Sequence, residues 1–194
     1  MDCRLGSLCR QMNGRLESQC KDTKNKSMAE KKNAISYESI MKDLKARKFA
    51  PVYVLMGDEP FYIDKICDYI AENVLQPEER DFNQTVLFGA DTTAVQVVDQ
   101  CKGYPMMAEF RVVIVKEAQN LKSLDALEKY LEKPVKSTIL VICNKNGSID
   151  RRKKFIPRAE QVGVVFESKK LYDRQLPGFI ETYLKARKAT IEPK

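Results

Sequence analysis

The chain has 194 residues, of which 43% are hydrophobic and 31% charged, and it carries a formal net charge of +7 at pH 7. This length suits one ordinary domain with extensions, and no apolar run is long enough to span a membrane. Histidine is absent and the six cysteines lack CxxC spacing, so the composition argues against zinc sites and against histidine-based acid/base catalysis.

The first 33 residues are polar and basic and show no sustained hydrophobic period. Residues 1–27 alone hold six Lys or Arg and three Asp or Glu, so they carry +3 of the net charge. A segment of this composition cannot bury enough apolar surface to order itself. The sequence therefore predicts a disordered extension over residues 1–33, followed by a folded domain.

The predicted folded domain begins with a helix, a strand and a second helix. Apolar residues at helical spacing predict a helix over 37–47, which Ser36 can cap. The apolar run VYVLMG predicts a buried strand over 52–57, because it is short, rich in β-branched residues and bounded by Pro and Gly. A helix over 59–74 follows, with Asp58 as its N-cap.

The alternation of strands and helices continues to residue 168. Further strands are predicted over 84–89, 111–117, 137–143 and 162–168. Further helices are predicted over 92–101 with Val95 and Val98 inward, over 124–133 with a Ser123 cap, and over the basic stretch 151–161 that Asp150 opens. Five short apolar strands separated by helices predict an α/β fold with a mostly parallel sheet covered on both faces.

The chain after the fifth strand has a different pattern. An amphipathic helix over 173–188 follows, and no strand comes after it. A lone helix after a finished sheet predicts the start of another domain. We therefore divide the chain into a domain over 34–168 and a linker with the first helix of a second, truncated domain over 169–194.

Three cysteines indicate the compartment. Cys67, Cys101 and Cys143 each lie among apolar residues of a predicted helix or strand. Small buried thiols of this kind are typical of a reducing environment rather than of disulfides. The pattern predicts a cytoplasmic protein.

The turn MGDEPFYIDK, directly after the first strand, lies where a P-loop would bind phosphate. A working P-loop has the pattern Gly-x-x-x-x-Gly-Lys-Ser/Thr, and this turn keeps only Gly57, with Tyr62 at the second glycine position. Asp58 and Glu59 add two carboxylates where phosphate would bind, and Pro60 has no amide donor. The turn is predicted to repel phosphate and to serve as an N-capped connection between strand and helix.

The end of the third strand gives little further support for nucleotide chemistry. Lys116 and Glu117 stand where an ATPase usually has a magnesium-binding Asp-Glu pair. A single carboxylate at a strand end is more typical of a solvated surface group. The sequence therefore predicts no catalytic residue, cofactor or metal ligand.

Four segments in this order resemble the delta subunit family of the bacterial DNA polymerase III clamp loader. They are VYVLMGDEPFYIDKI, CKGYPMMAEFRVVIVKEAQNL, STILVICNKNGSIDRRKKFIPRA and VVFESKKLYDRQLPGFIETYLKARKATIE, and the resemblance covers about residues 37–194. It implies a three-layer, P-loop NTPase-like domain of AAA+ type that has lost ATP chemistry, in a non-catalytic subunit of a DNA polymerase holoenzyme. The implied partners are the sliding clamp, the other clamp-loader subunits and primed DNA, with no membrane.

The resemblance also implies a clamp-binding element, an exposed apolar pair on a short helix before the third strand. Met106 and Met107 occupy the positions of this pair, within a stretch that also contains Tyr104, Pro105 and Phe110. Independently of the resemblance, four large apolar side chains crowd into seven positions of one short connection, where only some can face inward. Those left outside would form a patch suited to a partner's pocket. In the alternative interpretation, both methionines plug the end of the sheet.

A run of basic residues completes the candidate sites. Arg151, Arg152, Lys153 and Lys154 are consecutive, and such a run is usually a solvated helix face. Because a clamp loader encircles primed DNA, phosphate contact is the functional alternative. Three hypotheses follow from the sequence: a non-catalytic interaction module, a P-loop ATPase or nucleotide-dependent transferase, and a basic nucleic-acid-binding module.

Overall fold

A computed structural model describes residues 35–151, 154–170, 176–186 and 189. The predicted extension over 1–33 lies outside the described residues. None of the helices within the described part of the chain is long and apolar enough to cross a membrane.

The described residues form helices and strands in alternation. The helices are α1 (Tyr37–Lys45), α2 (Pro60–Asn73), α3 (Pro77–Asn83), α4 (Ala94–Lys102), α5 (Asp125–Tyr130), α6 (Phe155–Val162) and α7 (Leu176–Ala186). The strands are β1 (Val52–Gly57), β2 (Gln84–Phe88), β3 (Arg111–Lys116), β4 (Thr138–Lys145) and β5 (Val164–Ser168). A short 3₁₀ turn, Ala118–Asn120, follows β3.

The five strands form one sheet in the order β2-β3-β4-β1-β5, and every neighbouring pair is parallel. The predicted α/β fold with a parallel sheet is therefore confirmed. Since the strands are parallel, all segments that enter them lie at one edge of the sheet, and all segments that leave them lie at the opposite edge. The stretch 104–110 enters β3 and the Gly57 turn leaves β1, so the two candidate sites lie at opposite edges.

Each face of the sheet is covered by its own hydrophobic cluster, as predicted. Alternate residues of a strand point to opposite faces, so Val54 of β1 packs in one cluster and Leu55 in the other. Helices α4, α5 and α6 cover the first face, and α1 and α2 cover the second. Helix α7 contacts α2, because the Tyr183 ring packs edge-on against Phe61 with the centroids 5.7 Å apart.

Several local predictions about the helices are wrong. The N-cap of α2 is Glu59 rather than Asp58, and its carboxylate accepts a hydrogen bond from the N–H of Phe61 at 3.3 Å. Helix α4 turns Val97 and Val98 inward, whereas Val95 is exposed. Val97 and Val98 share their face with Ala94 and Cys101 at i, i+3, i+4, i+7 spacing. Thr93 caps the helix by accepting a hydrogen bond from the N–H of Gln96.

The predicted basic helix begins later than expected. Helix α6 starts at Phe155, after the basic run, and Pro157 occupies its first turn, where a missing N–H costs nothing. Helix α5 is also shorter than predicted and ends at Tyr130. The sequence did not predict the seven-residue helix α3, which directly precedes β2.

Candidate functional site

The residues from Tyr104 to Phe110, which we call the Met loop, join α4 to β3. The backbone of this loop forms bends rather than the short helix that the resemblance implied. Its side chains divide into two groups: Met107 is 100% exposed, Tyr104 84% and Met106 60%, whereas Pro105 and Phe110 are half-buried. Three of the five predicted docking residues therefore present apolar surface to solvent, and the methionines do not plug the sheet.

The start of the loop is fixed by the end of α4. Gly103 closes that helix, and its N–H donates to the Gln100 carbonyl at 3.3 Å. The Arg111 guanidinium packs against Gly103 so closely that a Cβ there would lie 3.0 Å from Arg111 Nη1. Arg111 also donates from Nη2 to Gln100 Oε1 at 2.7 Å. The side chain of Arg111 thus ties the two ends of the connection together.

The far end of the loop is anchored in the core. The Phe110 ring packs edge-on against Phe49, with the centroids 5.7 Å apart, and Ala108 joins the same hydrophobic cluster. The Arg47 guanidinium lies over the other aromatic ring of the pair, 5.5 Å from the Phe49 centroid. Phe110 is thus a half-buried packing residue, unlike the exposed methionines with which the sequence grouped it.

The middle of the loop is held by Asn83, the last residue of α3. Its side chain is fully buried, and Oδ1 accepts a hydrogen bond from the Met106 N–H at 2.6 Å. Its Nδ2 donates to the Met106 carbonyl at 2.9 Å and to the Glu79 carbonyl at 3.0 Å. Sequence reasoning missed Asn83, because the contact joins residues 23 positions apart and leaves no local periodic signal.

Met107 follows this anchor in an unusual backbone conformation. Its φ is 54°, in the left-handed region that non-glycine residues seldom adopt. Holding a non-glycine residue there costs about 1 kcal/mol or more, so the surrounding structure has to impose it. The Asn83 contacts to the adjacent Met106 supply such a constraint.

Phe82 adds another exposed apolar side chain next to the loop. It immediately precedes Asn83 and is 64% exposed on the surface of α3. The sequence pattern gave no signal for Phe82, because this residue lies in a helix that the pattern did not predict. Phe82 is thus a further exposed hydrophobic side chain on the helix that anchors the loop, and the loop's own exposed residues, Tyr104, Met106 and Met107, form an apolar stretch that is typical of partner-binding sites.

The turn after β1, at the opposite edge of the sheet, is closed by the protein's own backbone. The Gly57 N–H donates to the Gly147 carbonyl at 3.0 Å, and the Asp58 N–H donates to the Ser168 carbonyl at 3.1 Å. These amides are the donors that a phosphate-binding turn would present to its ligand. Gly57 has a φ of 134°, and a Cβ there would overlap the Ser168 carbonyl oxygen. Glycine is therefore required here by the close approach of two backbone segments.

A lysine near this edge of the sheet forms an ion pair with a carboxylate of the protein. Lys145 Nζ lies 2.6 Å from Asp64 Oδ1, so the ammonium is paired with a carboxylate of α2. The hydrogen bond to Asp64 is the main reason that the pKa of Lys145 is raised above its ordinary value.

Glu117, the strand-end carboxylate, is exposed, and its Oε2 accepts a hydrogen bond from Asn120 Nδ2 at 3.3 Å. The described residues contain no group of three or more His, Cys, Asp or Glu side chains arranged to hold a metal ion.

The three cysteines of the folded part are free and buried, as the sequence predicted. Burial raises the pKa of the Cys101 thiol to about 12. Cys67 and Cys143 lie side by side: their mutual hydrogen bond lowers the pKa of Cys67 and raises that of Cys143. A thiol with a pKa as high as that of Cys101 is a poor nucleophile, which favours a packing role.

The basic run is only partly described. Arg151 Nη2 lies 2.6 Å from Glu167 Oε2, and Nη1 lies 3.6 Å from Glu160 Oε1, so intramolecular carboxylates offset its charge. Lys154 is exposed and precedes α6. Arg152 and Lys153 lie outside the described residues. Phosphate contact by these four residues stays a prediction.

Comparison with known proteins identifies relatives of the chain. The family model described as DNA polymerase III, delta subunit, matches residues 53–169. DNA polymerase III subunit delta of Bacillus subtilis (strain 168) is 27% identical over 162 residues, which cover 78% of this chain and 47% of that protein. The solved structure of the Bacillus subtilis DNA clamp loader delta protein superposes with a TM-score of 0.69 at 26% identity, covering 81% of this chain and 49% of that one.

The matched region contains most of the described fold. It begins inside β1, ends just after β5 and includes both the closed Gly57 turn and the Met loop. The chain spans about half the length of the relatives it matches. On the evidence of the family match, the chain belongs to the DNA polymerase III delta subunit family.

Proposed function

We propose that this chain is the clamp-binding part of a clamp-loader delta subunit, and that it docks on the sliding clamp through the Met loop. The observation that carries the proposal is the exposure of Met106 and Met107 on a loop whose backbone is hydrogen-bonded to the buried Asn83 side chain. Unbranched, polarisable methionine side chains adapt readily to a partner's hydrophobic pocket. Tyr104 adds to the apolar surface of the same loop.

The exposed surface of the two methionines supplies part of the free energy of a docking contact. Burying the exposed surface of Met106 and Met107 contributes roughly 2 to 5 kcal/mol before the costs of association are subtracted. Because the loop is anchored at Gly103, Asn83 and Phe110, little further ordering is needed on binding. A preorganised loop retains more of this energy as net affinity.

The proposed role in loading is a shift in the equilibrium of the ring. A protein that binds an opened clamp interface more tightly than a closed one favours the open ring by the difference between the two binding free energies. Such a mechanism needs no chemistry from the chain itself. The proposed further partners are the other loader subunits and, in the assembled loader, primed DNA.

The proposed subunit is non-catalytic. The Gly57 and Asp58 amides donate to the Gly147 and Ser168 carbonyls, so a triphosphate would have to displace two backbone hydrogen bonds. It would also meet the carboxylates of Asp58 and Glu59 at the start of α2, where like charges repel. These features support a P-loop-like turn without ATPase activity.

The test is binding to the sliding clamp of the same bacterium, measured by calorimetry or surface plasmon resonance at fixed salt. The variant is Met106→Ala/Met107→Ala. The matched control is Val95→Ala, because Val95 is 59% exposed, close to the 60% of Met106, but lies on α4 outside the loop. We expect the double variant to lose roughly 2 kcal/mol or more of binding free energy and the control to bind like wild type.

Two outcomes would contradict the proposal. Unchanged clamp affinity in a folded double variant would show that the Met loop is not the docking element. Binding of ATP by the wild-type chain, detected as a rise in its melting temperature on titration, would contradict the proposal that the Gly57 turn does not bind phosphate.

A further inference from the structure

The side chain of Asn83 holds one peptide segment of the docking loop from both sides. Its Oδ1 accepts from the Met106 N–H at 2.6 Å, and its Nδ2 donates to the Met106 carbonyl at 2.9 Å. We infer that Asn83 is a positioning residue for clamp docking, which fixes the backbone of Met106 so that Met106 and Met107 stay exposed. This inference rests on the proposed docking function of the Met loop.

The chemistry of the contact specifies asparagine. The loop residue offers one donor and one acceptor, and only a carboxamide presents both complementary groups in one plane. A third hydrogen bond, from Nδ2 to the Glu79 carbonyl at 3.0 Å, fixes the amide to its own helix. Aspartate at this position would accept from the Met106 N–H but would set a carboxylate oxygen against the two carbonyls. Serine would be too short to reach both groups.

Burial makes the contact rigid. The side chain of Asn83 is 0% exposed, so water cannot replace the hydrogen bonds that it makes. A buried polar group that loses its partner keeps the full desolvation penalty, which opposes opening of the loop. The contact therefore resists the rearrangement that hydrophobicity favours, in which the methionines turn inward and cover the end of the sheet.

The left-handed conformation of Met107 follows from the same anchor. Asn83 fixes the peptide groups on both sides of the Met106 Cα, directly before the residue at which the chain turns. Met107 takes this turn with a φ of 54°, and its side chain is fully exposed. Without the anchor, Met107 would relax to an ordinary conformation, and the pair would have to be ordered again on binding.

A double-mutant cycle separates positioning from a general contribution to stability. Clamp affinity is measured for Asn83→Ala in the wild-type background and in the Met106→Ala/Met107→Ala background, at a temperature where all variants are folded. We expect Asn83→Ala to weaken binding by about three- to tenfold in the wild type, the cost of ordering one or more side chains. In the second background we expect no further loss, because no methionine remains to be positioned.

The matched control is Asn144→Ala. Asn144 is also buried and also donates to a backbone carbonyl, that of Gly147 at 2.8 Å, but it lies at the opposite edge of the sheet. This control should lower the melting temperature without weakening clamp binding. Equal losses for Asn83→Ala in the two backgrounds, or no loss in the wild type, would overturn the inference. Wild-type affinity in the Met106→Ala/Met107→Ala variant would instead overturn the proposed docking function.

Hydrogen exchange of the unmodified chain provides a second test. It requires neither that a variant folds nor that a weakened variant still binds the clamp measurably. The Met106 amide belongs to an exposed residue of an irregular loop, where fast exchange is the ordinary expectation. If Asn83 holds that amide, it should exchange at least about 100-fold more slowly than the same amide in an unstructured peptide. Exchange at the unstructured rate would overturn the inference.

Discussion

Truncating the two methionines one at a time should reveal which of them is the main anchor. The side chain of Met107 is 100% exposed and that of Met106 60%, so Met107 has more apolar surface left to bury on a partner. Full burial of a methionine side chain is worth about 1.5 to 3 kcal/mol, which scales to about 0.9 to 1.8 kcal/mol for Met106. At 1.4 kcal/mol per tenfold, Met107→Ala should weaken clamp binding by about 10- to 100-fold and Met106→Ala by about 5- to 20-fold.

The assay is a titration of each single variant with the clamp, together with thermal unfolding of the free chain. Met107→Ala should change the free energy of unfolding by no more than about 0.5 kcal/mol, because Met107 makes no buried contact. Met106→Ala should cost no more than about 1 kcal/mol, because Met106 is 60% exposed and is held through its backbone. Val95→Ala again serves as the control. A larger loss of affinity for Met106→Ala than for Met107→Ala would refute the argument from exposed surface.

Three further predictions concern stability. Gly57→Ala should destabilise the fold by about 3 kcal/mol or more in chemical denaturation, since its Cβ would overlap the Ser168 carbonyl oxygen; a loss below 1 kcal/mol would contradict the close approach of the two segments. Phe110→Ala should lower the free energy of unfolding by about 2 to 4 kcal/mol, because the half-buried ring packs against the core. Wild-type stability of this variant would show that the Phe110 ring is not a packing residue. The raised pKa of Lys145 makes its ion pair with Asp64 fully stabilising below the unfolded lysine pKa of 10.5. That contribution, worth about 0.2 to 1 kcal/mol, should disappear as pH rises through the folded pKa, and Asp64→Asn should abolish this pH dependence of the melting temperature.

The layout of the sheet could be predicted from the sequence because each strand is a short run buried on both faces. Val52–Gly57 illustrates this: all six residues are buried, and the bounding Pro51 and the glycine fix the limits of the run. Helix phase was harder to predict. In AVQVVDQC, Val95, Val97 and Val98 fit more than one helical face, and packing against the core selects the face formed by Ala94, Val97, Val98 and Cys101.

The Gly57 turn and the Met loop differ in how much of their structure could be predicted from the sequence. The second glycine and the lysine of a P-loop are absent after Gly57, so the sequence alone already predicts that this turn does not bind phosphate. For the Met loop, crowding predicted that some apolar side chains stay outside but not which ones. The division between Met107 and Phe110 depends on packing against Phe49, and the support from Asn83 depends on a contact that only the folded chain creates.

The placement of the closed turn and the Met loop at opposite edges of a parallel sheet affects how the two can evolve. Strand β3 has six residues, so about 20 Å of sheet separates the edges at roughly 3.3 Å per residue. Substitutions that far apart and without shared partners act additively on stability. Substitutions around Gly57 can therefore accumulate without a compensating change in the Met loop, and the loop can change without disturbing the turn.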